Sequence, residues 1–261
     1  MALPHVLVLR AAGTNCDLET QHAWELAGAT AVRLHIRELS AAPERLRTCQ
    51  VLTIPGGFSY GDDLGAGRIF AAQLARFLGD ALREFVQRGG LVLGICNGFQ
   101  VLVKAGLLPE IQKTDHAPPS CTVTFSDPPG YLDRWVCLRA NDSPSLFLEA
   151  GRTYELPMAH GEGRVVFRSP ADSDAVVAAH QNALVYVPAP PDSPAALAPY
   201  NPNSSTADLA GLCDSTGRVL GLMPHPERFV TWQQHPCWTR NPAITRADGL
   251  QFFSTALAAL R

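Results

Sequence analysis

Short apolar runs alternate with amphipathic segments in the first hundred or so residues of this chain, and this alternation limits the folds that it can adopt. The apolar runs are strand-sized, whereas the segments between them repeat apolar residues at helical spacing. The sequence predicts strands at 5–9, 31–36, 51–54 and 91–95, and helices at 18–26, 68–88 and 98–105. Strands that are apolar on both faces and alternate with helices indicate a parallel sheet covered on both sides.

Local signals support two of these helices. Asp17 stands where an N-cap is expected for the helix at 18–26, and Gly89 and Gly90 end the helix at 68–88. The helix at 68–88 has one apolar face. Its members are Phe70, Leu74, Phe77, Leu78, Leu82 and Phe85.

The second half of the sequence predicts antiparallel strands. Short β-like runs between turn residues lie at 121–125, 135–139, 165–168, 175–180 and 183–187. The runs at 209–213 and 219–223 flank a turn that contains Gly217, which is typical of a hairpin, and a closing helix is predicted at 249–260. We therefore expect a doubly wound α/β fold whose central sheet is mostly parallel, with an antiparallel section in the second half.

The 261 residues suit one large domain, which we expect to span 1–261. The proline-rich segment 187–205 predicts a surface loop, and 231–261 forms a C-terminal extension with the closing helix. A domain boundary within 187–205 is the alternative. We favour one domain, because the motifs described below need residues from both sides of this loop in one site.

Charge and cysteine content exclude several functional classes. The net charge of −3 does not favour nucleic acid or anionic membranes, and no apolar stretch reaches the ~18 residues of a membrane span. The N-terminus is typical of a first strand rather than of a signal peptide. Seven scattered cysteines without a C-x-x-C pair argue against a disulfide framework and a zinc cage. We expect a cytoplasmic protein.

A cysteine between two glycines gives the strongest chemical signal. Gly94 and Gly98 flank Cys96 between an apolar strand and a helix, which is the layout of a nucleophile elbow. Small residues two positions away let the strand and the helix pass in a strained turn. The thiol would lie at a helix N-terminus, where the partial positive charge favours the thiolate. A buried structural cysteine is the alternative.

A histidine that could serve this nucleophile follows the strand at 219–223. Pro224 and Pro226 restrict the backbone around His225, and Glu227 can accept a hydrogen bond from one ring nitrogen. The other nitrogen then faces a thiol. A surface turn and a metal site are the alternatives. We predict no metal, because the pattern H-x-E lacks a third ligand at helical spacing.

Two consecutive glycines follow the strand at 51–54. The N–H of Gly57, together with that of Asn97, could form an oxyanion hole for acyl chemistry. A plain turn is the alternative, and the spacing matches no nucleotide-phosphate motif. Further candidates for holding the substrate or shaping its pocket are Gly56, Phe58, Gln100, His160 and Gly161.

Three motifs together resemble those of the class I (triad) glutamine amidotransferases. They are Pro55-Gly56-Gly57, Gly94-Ile95-Cys96-Asn97-Gly98-Phe99-Gln100 and His225-Pro226-Glu227. The resemblance implies a flavodoxin-like fold and a catalytic triad of Cys96, His225 and Glu227. Longer stretches look like the glutaminase subunits of phosphoribosylformylglycinamidine synthases. These are 10–17, 55–63, 156–164, 200–203 and 221–228.

This resemblance implies a definite reaction and definite partners. L-glutamine would be hydrolysed to glutamate through a Cys96 thioester. The ammonia would pass to an ATP-dependent synthetase subunit that makes formylglycinamidine ribonucleotide in de novo purine biosynthesis. The partners would be the large synthetase subunit and the small accessory subunit. No cofactor is expected in this chain, since ATP and magnesium would bind the partner.

Two other functions remain open from the sequence. The chain could be an amidotransferase or a γ-glutamyl hydrolase of the same fold in another pathway. It could also be a non-catalytic module on this scaffold, although such a module would be expected to have lost a triad residue. In the family, the stretch Asn-Pro-Asn usually continues with glycine, whereas Ser204 follows here.

Overall fold

A nine-stranded mixed sheet runs through the part of the chain that the computed structural model describes, which is residues 2–109, 119–197, 199–242 and 244–260. The first four strands are β1 (His5–Arg10), β2 (Thr30–His35), β3 (Val51–Ile54) and β4 (Leu91–Ile95). The later strands are β5 (Cys121–Phe125), β6 (Leu132–Ala140), β7 (Thr153–His160), β8 (Glu162–Phe167), β9 (Leu184–Val187), β10 (Leu209–Cys213) and β11 (Val219–Leu222).

Six α-helices accompany these strands in the described ranges. They are α1 (Asp17–Ala27), α2 (Ile36–Ala41), α3 (Arg68–Gln87), α4 (Asn97–Lys104), α5 (Pro170–Ala178) and α6 (Asp248–Ala258). Helix α1 packs against α6, where the rings of Trp24 and Phe253 meet edge to face with centroids 4.9 Å apart. Helix α3 packs against α4. None of the helices in the described ranges has the length and apolar character needed to cross a membrane.

The sheet divides into a parallel and an antiparallel half. Its strand order is β2-β1-β3-β4-β11-β10-β9-β6-β7. The pairs from β2 to β11 are parallel, and the pairs from β11 to β7 are antiparallel. Strands β5 and β8 form a separate antiparallel pair. The predicted α/β fold, with a parallel sheet and an antiparallel section in the second half, is confirmed.

Burial explains why the central strands are uniformly apolar. Every residue of β3, β4, β10 and β11 is buried, because neighbouring strands and covering elements enclose both faces. Strand β7 instead alternates buried and partly buried residues, as expected for a strand with one enclosed face. We did not predict β7 or the short helix α2.

The segment 175–180, predicted as a β-like run, instead forms the end of helix α5 and the turn that follows it. The Ser169 hydroxyl accepts a hydrogen bond from the Asp172 N–H, and Pro170 occupies the first helical turn. The Ser169 cap and Pro170 come before the apolar residues of the segment and favour a helix, although β-branched valines favour a strand. A short apolar run by itself does not distinguish the two structures.

Two smaller predictions were also wrong. Asp17 is the first residue of α1 rather than its N-cap, which is Cys16. The carboxylate of Asp17 pairs with Arg33 at 3.0 Å instead of capping the helix. Phe77 lies outside the buried face of α3, with 53% of its surface exposed. The guanidinium of Arg76 lies 5.6 Å from the centre of its ring.

Candidate active site

The parallel half of the sheet brings four distant segments to one edge. Strands β1, β3, β4 and β11 are neighbours and run in the same direction, so that their carboxyl ends meet. Each is followed by a segment that the sequence analysis singled out: 10–17, 55–63, Cys96 and His225. Open α/β sheets bind ligands in the crevice at this edge.

Cys96 occupies a strained turn between β4 and α4. Its backbone has φ +50° and ψ −105°, a conformation that residues with a Cβ rarely adopt. The Cys96 N–H donates to the carbonyl of Leu222 at 2.8 Å, which ties the turn to β11. Cys96 is 5% exposed, and its sulfur lies 3.6 Å from the carbonyl of Ala159. The local geometry is that of a nucleophile elbow.

The two glycines beside Cys96 allow this turn to form. A Cβ on Gly98 would lie 1.8 Å from the carbonyl oxygen of Ile54, and one on Gly94 would lie 2.7 Å from the carbonyl oxygen of Gly98. No side chain fits at such distances, because real Cβ contacts are longer than 3.0 Å. Strand β4 and helix α4 can therefore pass closely only with glycine at both positions, as the sequence predicts.

His225 and Glu227 form a buried pair in the turn that follows β11. The Nδ1 of His225 lies 2.6 Å from Oε1 of Glu227, and both residues are at most 2% exposed. The His225 N–H donates to the carbonyl of Pro157 at 2.8 Å, so β7 helps to hold this turn. The geometry leaves Nε2 as the nitrogen available to a thiol, and no described residue forms a hydrogen bond with it.

The surroundings of His225 favour its protonated form. Burial by itself would lower the pKa of the imidazole, but the carboxylate of Glu227 and the nearby Cys96 raise it well above its usual range. The sulfur of a second cysteine, Cys16, also raises the pKa of His225. An imidazolium beside a thiol is the arrangement that activates a cysteine nucleophile.

Two backbone N–H groups are available to bind a negatively charged oxygen. Within the described residues, neither Gly57 N–H nor Asn97 N–H has a protein acceptor. Gly57 adopts φ +139°, and a Cβ there would lie 2.7 Å from the backbone nitrogen of Asn15. The side chain of Asn97 also forms a hydrogen bond, since its Oδ1 accepts from the Ser59 N–H at 3.4 Å. The asparagine thus connects the elbow to the glycine loop.

Most of the residues expected to bind substrate line one pocket with Cys96 and His225. The pocket is lined by Cys96, His225, Gly57, Phe58, Gln100, His160 and Gly161, among others. Gly56 is not part of this lining, and a Cβ there would lie 2.8 Å from Cε1 of His225. Gln100 is buried and already bonded, since it donates to the carbonyl of Glu162 and accepts from the Asn97 side chain.

A charged network that we did not predict lies at the side of the pocket. Glu162 accepts a hydrogen bond from the Ala66 N–H at 3.1 Å and lies 3.6 Å from Nζ of Lys104. Burial lowers the pKa of Lys104, although the carboxylate of Glu162 opposes this effect. Burial also raises the pKa of Asp62, whose carboxylate accepts from the Asn97 side chain. These contacts join α4 to the loops on either side of the pocket.

His160 lies beside Asn203 in the interior. The Asn203 oxygen accepts from the Ser205 N–H at 3.2 Å, and its nitrogen donates to the carbonyl of Gly163 at 2.9 Å. The same nitrogen lies 3.4 Å from Nε2 of His160, and Nδ1 of His160 has no hydrogen-bond partner among the described residues. Burial and the neighbouring His225 lower the pKa of His160 to about 3, and only its own carbonyl opposes this.

The proline-rich segment contributes to this network. The sequence predicts a surface loop over 187–205, but Asn203 and Ser205 at its end are buried beside β8. Ser204 between them has φ +58°, the left-handed conformation that glycine adopts most easily. This backbone requirement explains why glycine is usual at the position of Ser204.

Cys16 is another residue of the site for which the sequence predicted no role. Its sulfur, a nitrogen of His225 and an oxygen of Glu227 lie within 4.8 Å of one another. The three groups are not arranged to bind a cation, because Glu227 already bonds His225 and the guanidinium of Arg228 lies 3.1 Å from the sulfur. Because Cys16 follows β1, and β1 neighbours β3 in the sheet, the order of the strands could have indicated that Cys16 lies in the site.

Comparison with known proteins places the chain among glutamine amidotransferase domains. The profile of the CobB/CobQ-like glutamine amidotransferase domain matches residues 3–258. Phosphoribosylformylglycinamidine synthase subunit PurQ of Dehalococcoides mccartyi is 42% identical over 258 residues, which cover 98% of each chain. The subunit of the same name in Treponema denticola is 41% identical over 244 residues, which cover 87% of this chain and 88% of that subunit.

The fold also matches a solved structure along its whole length. A chain in the structure of PurLQS from Thermotoga maritima superposes with a TM-score of 0.72 and 28% sequence identity. The match covers 100% of both chains. The elbow, the glycine loop and the histidine turn thus lie on a scaffold shared with a chain of that structure.

Proposed function

Because the chain belongs to the family of CobB/CobQ-like glutamine amidotransferase domains, we propose that it is the glutaminase subunit of a phosphoribosylformylglycinamidine synthase. It hydrolyses L-glutamine to glutamate and supplies the ammonia to a synthetase subunit in purine biosynthesis. One observation carries the chemical part of this proposal. Cys96, Gly57 and His225 follow different strands and nevertheless line the same pocket.

In the first half of the reaction, the Cys96 thiolate attacks the carbon of the glutamine carboxamide. A C–S bond forms, and the N–H groups of Gly57 and Asn97 stabilise the oxyanion, each donor being worth about 10²–10³ in rate. The imidazolium of His225 gives its proton to the amide nitrogen as the C–N bond breaks. Ammonia leaves, and a γ-glutamyl thioester remains on Cys96.

In the second half, the neutral imidazole of His225 takes a proton from water. The resulting hydroxide attacks the thioester carbonyl, the C–S bond breaks, and glutamate leaves with the Cys96 thiolate restored. Glu227 keeps the ring in place and stabilises the imidazolium through its 2.6 Å contact with Nδ1. None of these steps uses a metal or an organic cofactor.

Substitution of the nucleophile in the assembled synthase tests the function. In the variant Cys96→Ala, we expect the glutamine-dependent formation of amidine to fall by at least about a thousandfold, because the covalent step is lost. The ammonium-dependent reaction should stay at the wild-type rate, since the synthetase chemistry is untouched. Both rates are measured on the same preparation of the complex.

A second cysteine serves as the control for this experiment. Cys49 is buried as Cys96 is, but it precedes β3 and therefore lies away from the site. Cys49→Ala should retain the glutamine-dependent rate. Glutamine turnover near the wild-type rate in Cys96→Ala would contradict the proposed nucleophile, and an assembled wild-type complex unable to use glutamine would contradict the proposed function.

The partner proposed for this chain is the large synthetase subunit, together with the small accessory subunit. ATP and magnesium are proposed to bind the synthetase. The rim of the pocket supports a docking face for it, since apolar side chains there are exposed. Phe58 is 45% exposed, Phe125 67% and Tyr131 58%, and all three line the pocket. Apolar groups gathered around the opening of a polar site are typical of an interaction surface.

A further inference from the structure

Cys16 lies at the meeting point of three segments of the site. It is 1% exposed and follows β1, and its N–H donates to the carbonyl of Gly56 at 3.2 Å. A Cβ on Gly56 would lie 3.1 Å from the Cys16 sulfur and 2.8 Å from Cε1 of His225. The Gly56 backbone therefore lies close to both the Cys16 sulfur and the Cε1 edge of the imidazole, and the sulfur lies within 4.8 Å of a ring nitrogen.

The Cys16 thiol lies among three polar side chains, those of Asn15, Arg228 and His225. Burial raises its pKa to about 11, so that it carries a proton at neutral pH. The thiol donates that proton to Oδ1 of Asn15 at 3.6 Å, and its lone pairs accept from Nη2 of Arg228 at 3.1 Å and face His225. Cys16 is therefore not a second nucleophile but a neutral acceptor.

The position of this acceptor matters because two cations meet there. Arg228 is held by Glu19 at 2.9 Å, and His225 carries a positive charge while it protonates the leaving nitrogen. The neutral, polarisable sulfur lies against both groups. It accepts a hydrogen bond from Arg228 and lies beside the imidazole without adding a charge.

One hydrogen bond does not fix an aromatic ring. The contact between Glu227 and Nδ1 sets the distance of the imidazole from its own turn, but the ring could still tilt about that bond. The Gly56 backbone beside Cε1 and the Cys16 sulfur within 4.8 Å of a ring nitrogen restrict this tilt. The direction of Nε2 toward Cys96 thus depends on both sides of the ring.

We propose that Cys16 is a positioning residue for glutamine hydrolysis, whose sulfur holds the His225 imidazole so that Nε2 faces the nucleophile. This inference rests on the proposed glutaminase function. The charged or titratable groups that act on His225 are Cys16 before α1, Cys96 before α4, Tyr131 before β6, His160 in β7, and Glu227 and Arg228 in its own turn.

The test uses Cys16→Ala and Cys16→Ser in the assembled synthase. In Cys16→Ala we expect the kcat for glutamine to fall by roughly 10–100-fold, because misplacement of a catalytic group has costs of this size. The KM for glutamine should stay within about twofold, and the ammonium-dependent rate should not change. Cys16→Ser keeps the lone pairs and should recover most of the kcat.

The pH profile separates positioning from a merely structural role. Since the Cys16 sulfur raises the pKa of His225, the limb of the profile that reports loss of the imidazolium should move to lower pH in Cys16→Ala. The rate at which iodoacetamide alkylates Cys96, measured as a function of pH, should show the same shift to lower pH. Cys49→Ala removes a cysteine whose pKa burial likewise raises to about 11, and it should leave both profiles unchanged.

Two results would overturn the inference. One is a wild-type kcat and pH profile in Cys16→Ala. The other is an equal loss of kcat in Cys16→Ala and Cys49→Ala, which would indicate general destabilisation. If Cys16→Ala does not fold, a folded Cys16→Ser variant without glutamine turnover contradicts the inference equally. A wild-type complex that cannot use glutamine would instead contradict the proposed function.

Discussion

His160 and His225 line the same pocket, but their surroundings favour different charges on the two rings. Glu227 stabilises the positive form of His225, whereas His160 has neutral partners and is fully enclosed. The same side chain can therefore serve as an acid–base group at one position and as a neutral hydrogen-bonding group at another. The difference comes from the neighbours of each ring rather than from the residue type.

The low pKa of His160 predicts a loss of stability in acid. Its folded pKa of about 3 lies below the unfolded value near 6.5, so the unfolded chain binds a proton that the folded chain excludes. Stability is therefore lost as the pH falls below about 6.5, by about 2 kcal/mol between pH 7 and pH 5. Urea unfolding of the wild type and of His160→Gln at both pH values measures this effect.

The variant is the matched control in this experiment, since glutamine is polar but does not titrate in this range. The difference in unfolding free energy between the two proteins should change with pH by the amount stated. Parallel losses in both proteins would show that His160 is not the group responsible.

Among the secondary-structure elements, the last helix supports the turn that carries the proposed catalytic histidine. Gly249 lies in the first turn of α6, and a Cβ there would lie 1.9 Å from the carbonyl oxygen of Pro226 and 2.6 Å from that of Phe229. Asp248 accepts from the Glu155 N–H at 2.9 Å, which joins the same helix to β7. The C-terminal extension thus holds the turn that carries His225 and Glu227.

This contact predicts that Gly249→Ala impairs both stability and glutamine turnover, because the methyl group displaces the turn at 226–229. Destabilisation of about 1–3 kcal/mol is expected for such overpacking. Gly79→Ala in α3 is the control, since its Cβ would meet only the Arg83 guanidinium at 3.8 Å. That change should raise stability by roughly 0.5–1 kcal/mol, because alanine favours helix more than glycine. Thermal unfolding and glutamine kinetics of both variants test the prediction.

At the scale of the whole molecule, the exposed apolar rim and the pocket form one continuous region. The rings of Phe58 and Tyr131 stack with centroids 6.5 Å apart, and Phe125 also lines the opening. Phe58 directly follows Gly57, whose N–H is proposed to bind the oxyanion. A partner that covers the rim would therefore also contact the catalytic loop.

Charge placed on this rim should weaken the complex. In Phe125→Asp we expect the dissociation constant for the synthetase subunit to rise by about 30-fold or more, as for loss of a central interface residue. Phe77→Asp on α3 is the matched control, because Phe77 is 53% exposed but does not line the pocket. Titration of labelled protein with the synthetase subunit gives both constants. Equal effects of the two substitutions would argue against the rim as the docking face.

Those parts of the protein that depend on local patterns can be predicted from the sequence. The strand–elbow–helix around Cys96 follows from apolar letters and two glycines, and the pairing of His225 with Glu227 follows from their separation by one residue. Failures were also local where the pattern was ambiguous. The run at 175–180 contains β-branched residues, but the cap at Ser169 directs it into α5.

Contacts between distant residues, in contrast, are visible only in the three-dimensional fold. Cys16 approaches His225, Asn203 lies beside His160, and Gly249 packs against the turn that carries His225 and Glu227, although these segments are far apart in the chain. No periodicity records such contacts, because they depend on the order of strands in the sheet and on close packing between elements. Helical and strand patterns report which face of an element is buried, but not what covers it.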